Sequence, residues 1–351
     1  MPNFQPTVAE EFPGKGPQGM EHSPETQDNR AWHGWIRAAA FVLGGFAFLY
    51  VGVTFWFGRS MWGGHSIWKL LGLRELPLVI GLVAMGVCLR AVRFYYYGRR
   101  LGWKVPPWPS FVVFVASFSL TATPGKAGEL LKSALLRTRY GTSVAESAGA
   151  LIVERLGDLL ALLILASSGL LLFTGLRNYF FLCVVVVGLF CVAPRTIGYP
   201  LLQWSTRYER FRPLAERLIR ILHTIDALLK PEPLLIGLVL AVVAWGCEAL
   251  AFSVLAERLP VEIPLVAAFS IVGLSAVVGA LSMLPGGLGG VEAVMVLLLT
   301  KLGVDVPSAT VTVIVFRLCT LYLMTLVGFC FLGWWKVVNP AAKLPPRSVE
   351  A

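Results

Sequence analysis

The chain has 351 residues, of which 56% are hydrophobic and only 14% are charged, against about 25% charged residues in an ordinary globular domain. The mean hydropathy is +0.73, and the apolar residues form blocks of membrane-spanning length. These values exclude a soluble enzyme built on a β-sheet and predict an all-α, polytopic membrane helix bundle. The net charge of +10 points to anionic lipid headgroups rather than nucleic acid, because most basic residues lie between the apolar blocks.

The two ends of the chain are polar. Residues 1–33 are rich in proline and glycine, and we predict that they form a disordered cytoplasmic tail. They are not a secretory signal, because no apolar segment follows a basic start within them. The transmembrane domain is predicted over residues 34–335, followed by a short cytoplasmic tail over 336–351.

Six apolar blocks of about 20 residues predict full membrane crossings. They lie at residues 38–57, 76–97, 143–172, 179–194, 235–256 and 306–332. Two further apolar stretches, 109–141 and 265–303, are interrupted by Pro-Gly near their middles. The arms of the first are too short for a core of about 30 Å, so we predict a re-entrant hairpin that enters and leaves on one side. The longer arms of the second are compatible with a re-entrant hairpin or with two crossings.

Basic residues are concentrated in the segments 90–104 and 195–230, whereas the connections 173–178 and 257–264 hold one arginine each. The positive-inside rule therefore places both basic segments and both chain termini in the cytoplasm. We accordingly expect a multi-pass protein of the cell (inner) membrane. Apolar residues recur at helical spacing over 211–229, which favours an amphipathic helix in the cytoplasmic headgroup layer. The alternative is a linker helix packed on the bundle.

The two interrupted stretches are similar in sequence. One reads T-P-G-K-A-G-E at 123–129 and the other L-P-G-G-L-G-G-V-E at 284–292. In both copies an arginine follows in the next apolar block, and these arginines, Arg155 and Arg317, are 162 positions apart. The residues predicted to break the helices are Pro124, Gly125, Gly128, Pro285, Gly286, Gly287 and Gly289.

An odd number of crossings, three, separates the two breaks. The repeat halves, about 34–172 and 235–332, are therefore predicted to be inverted with respect to each other. Many alternating-access transporters have this arrangement, with the substrate bound where the interrupted helices meet near the bilayer midplane.

Ionisable residues lie at the breaks and deep in the predicted spans, where charge is costly and therefore usually paired or functional. We predict a substrate-binding and translocation site formed by Lys126, Glu129, Glu154, Arg155, Asp158, Glu292 and Arg317. The cations suit a phosphate, and the carboxylates suit an amine or a proton. The alternative is that these charges only neutralise one another and hold the helices together. For Arg90 and Arg93 we predict side chains that extend to the cytoplasmic interface.

These motifs resemble the membrane region of the lysylphosphatidylglycerol synthase/flippase family, which also includes stand-alone flippase-like membrane proteins. The resemblance covers about residues 35–335 and rests on residues 124–129, 154–158 and 285–289, with Glu292 and Arg317. It implies translocation of a lipid or lipid-linked headgroup between leaflets. The synthases also carry a soluble aminoacyl-transferase domain after the membrane region. Only about 16 residues follow Trp335 here, so we do not expect aminoacylation by this chain alone.

Three functions remain open at this point. The first is a flippase or transporter that moves a polar headgroup between leaflets. The second is a non-catalytic membrane subunit that positions a cell-envelope lipid-modifying enzyme or glycosyltransferase. The third, an intramembrane lipid transferase, ranks last because no His–carboxylate or Asp-rich metal pattern is present, and we expect the chain not to be an enzyme.

The expected ligands and partners follow from the same patterns. Cysteines and histidines show no metal-ligand spacing, so no metal or cofactor is expected. The expected partners are a membrane phospholipid or lipid-linked substrate and an envelope-lipid enzyme, with a homo-oligomer left open.

Overall fold

The computed structural model describes residues 74–121, 127–169, 199–206, 212–282 and 284–339, with a few single positions between 181 and 198. All regular structure in this part of the chain is helical, which confirms the predicted all-α class. Several predictions fall outside the described residues: the tail 1–33, the span 38–57, most of the span 179–194, Pro124, Gly125, Lys126, and the tail from residue 340 onward.

The helices are numbered here in chain order within the described residues. The first four are α1, Leu76–Arg100; α2, Pro107–Ala116, continued by the 3-10 turn Ser117–Leu120; α3, Ala127–Tyr140; and α4, Val144–Ser168. The next five are α5, Tyr199–Ser205; α6, Arg212–Leu228; α7, Pro231–Ala256; α8, Leu265–Leu281; and α9, Gly290–Lys301, with the short 3-10 turn Pro285–Gly287 before α9. The last helix begins as α10, Val306–Arg317, passes through the π-helical turn Leu318–Tyr322, and ends as α11, Leu323–Val338.

Within the described residues, three helices are long and apolar enough to cross a membrane: Leu76–Arg100, Pro231–Ala256 and Val306–Val338. They correspond to three of the predicted spans. Helix α4 is as long as α1, 25 residues, but three charged residues, Glu154, Arg155 and Asp158, lie close together within it. Two helix ends differ from their predicted positions. Helix α4 ends at Ser168 rather than at 172, and the last helix continues to Val338 rather than to 332.

Local sequence explains where several helices begin. A proline stands in the first two positions of α1, α2, α7 and α10, where the missing N–H has no partner to lose. Helix α10 is also capped by Asp305, whose carboxylate accepts a hydrogen bond from the Ser308 N–H at 3.0 Å. A carboxylate at this position compensates the positive end of the helix.

Contacts between helix termini define two ends of the bundle. At one end, Trp103, just after α1, donates a hydrogen bond to Glu146 in the first turn of α4 at 3.0 Å, and Arg100 contacts Glu232 at the start of α7. The ring of Trp108, in the first turn of α2, lies 6.0 Å from that of Trp334 near the end of α11. We call this the basic end. Helices α1 and α11 therefore end there, and α2, α4 and α7 begin there.

The opposite end is defined in the same way. Arg258, after α7, contacts Glu75, before α1. The Ser168 hydroxyl at the end of α4 donates to the carbonyl oxygen of Val266 at 3.1 Å, so α8 begins at this end. Because α11 ends at the basic end, α10 begins at the opposite end. The helices that carry Arg155 and Arg317 consequently run in opposite directions.

Each interrupted stretch begins and ends at the same end of the bundle. The first comprises α2 and α3; α2 begins at the basic end, and α3 ends there beside the start of α4. The second comprises α8 and α9, and both of its outer termini lie at the opposite end. The α3 and α9 arms are followed by glycines with positive φ, Gly141 at 68° and Gly303 at 92°, a conformation typical of helix C-termini.

Helix α6, from the basic segment, packs its C-terminal half on α4. Thr224, Ile225 and Leu228 are buried there, and a Cβ on Gly149 of α4 would lie 2.6 Å from the Cβ of Thr224. This is the packed arrangement that the sequence left as an alternative. In the N-terminal half, by contrast, Leu214 and Leu218 have exposed fractions of 59% and 37%. That half keeps the apolar surface predicted for contact with lipid headgroups.

Close packing of the last helix on the first interrupted stretch leads to a testable prediction. A Cβ on Gly328 would lie 2.4 Å from the backbone nitrogen of Ser119, whereas a Cβ on Gly333 of the same helix would meet nothing within 4 Å. We expect Gly328→Ala to destabilise the protein by about 1–3 kcal/mol, because the 3-10 turn must move to admit the methyl group. Gly333→Ala is the matched control and should not lower the midpoint of thermal unfolding in detergent. Equal unfolding midpoints for the two variants would contradict this packing.

Candidate functional site

A cavity of about 460 Å³ lies about halfway along the bundle, where the two interrupted stretches meet. The first stretch contributes Phe118 and Thr121 to its wall, and the second contributes Gly286 and Gly287. The wall is mainly apolar but includes six charged side chains, Arg90, Lys132, Arg155, Asp158, Glu248 and Arg317. Three residues predicted from sequence, Arg155, Asp158 and Arg317, therefore meet at one cavity.

Arg90 and Glu248 form the first ion pair at the cavity. The Arg90 Nη1 donates to Glu248 Oε1 at 2.6 Å, and each side chain is 11% exposed. The guanidinium also lies over the Trp245 ring, 4.3 Å from its centroid, within the range of a cation–π interaction. Among the described residues, no hydrogen-bond acceptor reaches Nε or Nη2 of Arg90.

Asp158 is shared by two arginines. Arg93 Nη2 donates to Asp158 Oδ1 at 2.7 Å, and Arg155 Nη2 lies 3.2 Å from Asp158 Oδ2. The Arg93 side chain is only 1% exposed, whereas that of Arg155 is 40% exposed. The Asp158 carboxylate therefore compensates two guanidinium groups, the buried one of Arg93 and that of Arg155, which reaches the cavity.

The prediction that Arg90 and Arg93 extend to the membrane interface is wrong. Helix α1 continues to Arg100, so Arg93 lies seven residues, about 10 Å, inside the end of the helix. Both side chains point toward α4 and α7 rather than toward the helix terminus, because buried carboxylates there stabilise them. The depth of Arg90 and Arg93 within the apolar block was the sequence signal for this role.

Lys132 and Glu154 form a second buried pair. Lys132 Nζ donates to Glu154 Oε2 at 3.0 Å, and the side chains are 6% and 1% exposed. The ammonium also lies 5.0 and 4.7 Å from the ring centroids of Phe94 and Phe114. Sequence reasoning had grouped Glu154 with Arg155 and Asp158, but its partner is on α3. Lys132 was not predicted as a site residue, although a lysine three positions after Glu129, close to the break, is the signal that could have identified it.

Arg317 joins the second break to helix α10. Its Nε donates to Glu292 Oε1 at 2.7 Å, and its Nη2 donates to the carbonyl oxygen of Gly286 at 2.7 Å. Glu292 Oε2 in turn accepts from the Gly289 N–H at 2.8 Å. Gly286 and Gly289 have φ values of 62° and 83°, which a side chain at either position would disfavour.

The first break is described less completely. Gly128 lies in the first turn of α3, but the side chain of Glu129 lies outside the described residues, as does all of Lys126. The roles predicted for Lys126 and Glu129 in the site therefore stay predictions.

Cations outnumber carboxylates in this buried network of the described residues. It comprises five cations and four carboxylates: Arg90, Arg93, Lys132, Arg155 and Arg317 with Glu154, Asp158, Glu248 and Glu292. Glu154, Glu248 and Glu292 each pair with one cation, and Asp158 is shared. Arg93 is enclosed, whereas the side chain of Arg155 is 40% exposed and lines the cavity. No group of three His, Cys, Asp or Glu side chains in the described ranges is placed to hold a metal ion.

Comparison with known proteins agrees with the motifs and the bundle. The sequence model of the family described as lysylphosphatidylglycerol synthase TM region matches residues 37–328. The chain belongs to this family. The match spans both interrupted stretches and every charged residue of the buried network, and it confirms the resemblance inferred from the sequence. It also identifies the chain as a multi-pass membrane protein.

A curated relative comes from an archaeon. The chain is 23% identical to a UPF0104 membrane protein of Methanothermobacter thermautotrophicus, over 73% of this chain and 81% of the relative. The similarity therefore extends over most of both proteins and is not confined to one motif.

Proposed function

We propose that this protein is a lipid flippase that moves a phosphate-bearing headgroup, of a phospholipid or a lipid-linked substrate, between leaflets. The observation that carries the proposal is the cavity at the meeting point of the two interrupted stretches. Its volume of about 460 Å³ is in the range of ordinary ligand sites, about 300–1,000 Å³. An apolar wall with a few charged groups suits a polar headgroup whose tails remain in lipid.

The charge of the cavity supports an anionic group. Among the described residues, its wall carries four cations, Arg90, Lys132, Arg155 and Arg317, and two carboxylates, Asp158 and Glu248. Arginine binds phosphate through a planar fork of N–H donors, and the Arg155 side chain lines the cavity. In this proposal Arg155 binds the phosphate, and Arg90 and Arg317 border the path of the headgroup.

The interrupted stretches supply the conformational part of the proposal. Arms α3 and α9 have 14 and 12 residues and reach only about 21 and 18 Å, against a hydrocarbon core of about 30 Å. Their outer termini lie at opposite ends of the bundle. Two re-entrant hairpins that open to opposite sides would allow the cavity to be reached alternately from each leaflet.

The distribution of charge supports an orientation in the membrane. Among the described residues, ten cations and four carboxylates lie at the basic end: Arg99, Arg100, Lys104, Arg137, Arg139, Arg212, Arg217, Arg220, Lys230 and Lys336 with Glu146, Glu216, Asp226 and Glu232. The opposite end has three cations and four carboxylates: Arg74, Arg258 and Lys301 with Glu75, Glu257, Glu262 and Asp305. By the positive-inside rule we propose that the basic end, where α11 ends, faces the cytoplasm. The predicted span 38–57 would bring the N-terminus to the same side.

Cysteine labelling tests this orientation. In a cysteine-free background, Pro260→Cys should react with a membrane-impermeant thiol reagent added outside intact cells, whereas Lys104→Cys should react only after permeabilisation. Both positions are exposed on the protein surface, so burial within the protein cannot cause a difference in their labelling. The reverse pattern would overturn the orientation, and labelling of both from outside would overturn the assignment of these loops to opposite sides.

The flippase proposal is tested with purified protein in vesicles. Lipids with fluorescent acyl chains and different headgroups are placed in one leaflet, and their appearance in the other leaflet is followed by dithionite quenching. We expect movement of at least one phosphate-bearing headgroup above the rate of protein-free vesicles. Absence of movement for every lipid of the panel would contradict a flippase and favour the alternative, a membrane subunit that positions a lipid-modifying enzyme.

A further inference from the structure

A second, much smaller cavity lies beside the Lys132–Glu154 pair, between α3 and α4. Its volume of about 10 Å³ is near the minimum that admits one water molecule. Glu154 and Ser147 are among the residues that line it. Both are buried, at 1% and 7% exposure, and neither Glu154 Oε1 nor Ser147 Oγ has a hydrogen-bond partner among the described residues.

Lys132 separates the two cavities. It lines the central cavity and also the small one, and its ammonium lies against the rings of Phe94 and Phe114. Ser147 lies in the first turn of α4, at the basic end. Ser147 and Glu154 therefore border the small cavity, and Lys132 borders both this cavity and the central one.

We propose that the Lys132–Glu154 pair couples the uptake of an anionic headgroup to the uptake of one proton. The inference rests on the flippase function proposed above. An anion that enters the central cavity attracts Lys132 Nζ away from Glu154 Oε2, and the lysine remains protonated as it pairs with the anion. A buried carboxylate without its cation is costly, so Glu154 binds a proton at Oε1.

Charge is conserved in this step. One O–H bond forms on Glu154. The proton comes from bulk water and reaches Glu154 from the Ser147 side of the small cavity. A monoanionic headgroup and one proton enter together, so the net charge of the buried network does not change. Transport of the two in the same direction is then electroneutral.

The groups around Glu154 are consistent with this role. Lys132 of α3 is its cation in direct contact, while Arg93 and Tyr97 of α1 interact with it at longer range. Arg93 is bound by Asp158, which also pairs with Arg155 on the same helix as Glu154. Within the described residues, no cation of the neighbouring helices α6, α7 or α8 forms an ion pair with Glu154. Departure of Lys132 therefore leaves Glu154 with no contacting cation from the part of the chain that the structure describes.

Calorimetry of the purified full-length protein tests the coupling. Short-chain phosphatidylglycerol, a monoanionic lipid, is titrated into the protein in two buffers of different ionisation enthalpy. The difference between the two binding enthalpies gives the number of protons taken up for each lipid bound. We expect about one proton for the wild-type protein, about one for the control Glu216→Gln, and close to none for Glu154→Gln.

The outcomes separate this inference from the proposed function. Binding without proton uptake by the wild-type protein overturns the coupling and leaves the flippase proposal intact. Absence of binding overturns the anionic site in the central cavity, and the coupling with it. Undiminished uptake by folded Glu154→Gln also overturns the inference, because another group would then bind the proton. The measurement on the wild-type protein tests the coupling even if Glu154→Gln fails to fold.

Discussion

Arg155→Ala is expected to reduce headgroup movement in reconstituted vesicles by about 10- to 100-fold. A hydrogen bond to a charged group contributes about 1.5–3 kcal/mol, and each 1.4 kcal/mol corresponds to about a factor of ten. The variant keeps the buried Arg93–Asp158 contact at 2.7 Å, so the protein should still fold. Leaflet quenching of the labelled lipid measures the effect, and the unfolding midpoint of the variant in detergent confirms that it is folded.

Two further variants sharpen this test. Arg155→Lys keeps the charge but loses the planar fork of donors, and we expect an intermediate rate. Arg139→Ala removes an exposed arginine at the basic end and should leave the rate within about twofold of wild type, since screened surface charges interact weakly over distance. Movement at the wild-type rate by Arg155→Ala would remove Arg155 from the proposed site.

Asp158→Ala is expected to have the largest effect on stability of any single change in the buried network. It leaves Arg93, with 1% of its side chain exposed, without the carboxylate that it contacts, and it removes one partner of Arg155 as well. Removal of one member of a buried ion pair costs about 3–5 kcal/mol. We therefore expect a markedly lower midpoint of thermal unfolding in detergent, or a failure of the protein to accumulate in the membrane.

A paired replacement distinguishes lost compensation from lost packing. Arg93→Met combined with Asp158→Leu removes both buried charges and restores apolar contacts, and it should recover most of the lost stability. Glu216→Ala removes an exposed carboxylate paired with Arg212 on α6, where surface pairs contribute little. Equal unfolding midpoints for Asp158→Ala and Glu216→Ala would contradict the stabilising role assigned to Asp158.

Local patterns predicted much of the architecture. The apolar blocks at 76–97 and 235–256 are helices α1 and α7, because helix formation in an apolar setting depends mainly on block length and composition. The break at 284–292 was predicted from Pro285 and its following glycines, whose backbone preferences are local properties. The repeat was visible in the sequence because its two copies preserve these local signals at a constant offset.

The arrangement of charges was predicted less well. Glu292 and Arg317 meet at 2.7 Å, as expected for residues placed at a break and in the span that follows it. Arg93 and Lys132, in contrast, belong to the buried network although the sequence pattern had assigned neither of them to the site. Their partners are 65 and 22 residues away in the chain, and no local rule indicates which face of one helix will meet which face of another.

By itself, the sequence determined that this chain is a helical membrane protein, and it predicted two Pro-Gly breaks at equivalent positions of a repeat. Hydrophobicity and the backbone preferences of proline and glycine act within one helix, so local sequence is enough for these inferences. Only the tertiary structure decided that Arg90 pairs with Glu248, Arg93 with Asp158 and Lys132 with Glu154. The physical reason is that such pairs depend on the rotation and depth of separate helices. These are set by the packing of the whole bundle, and the same packing leaves Arg155 facing the cavity.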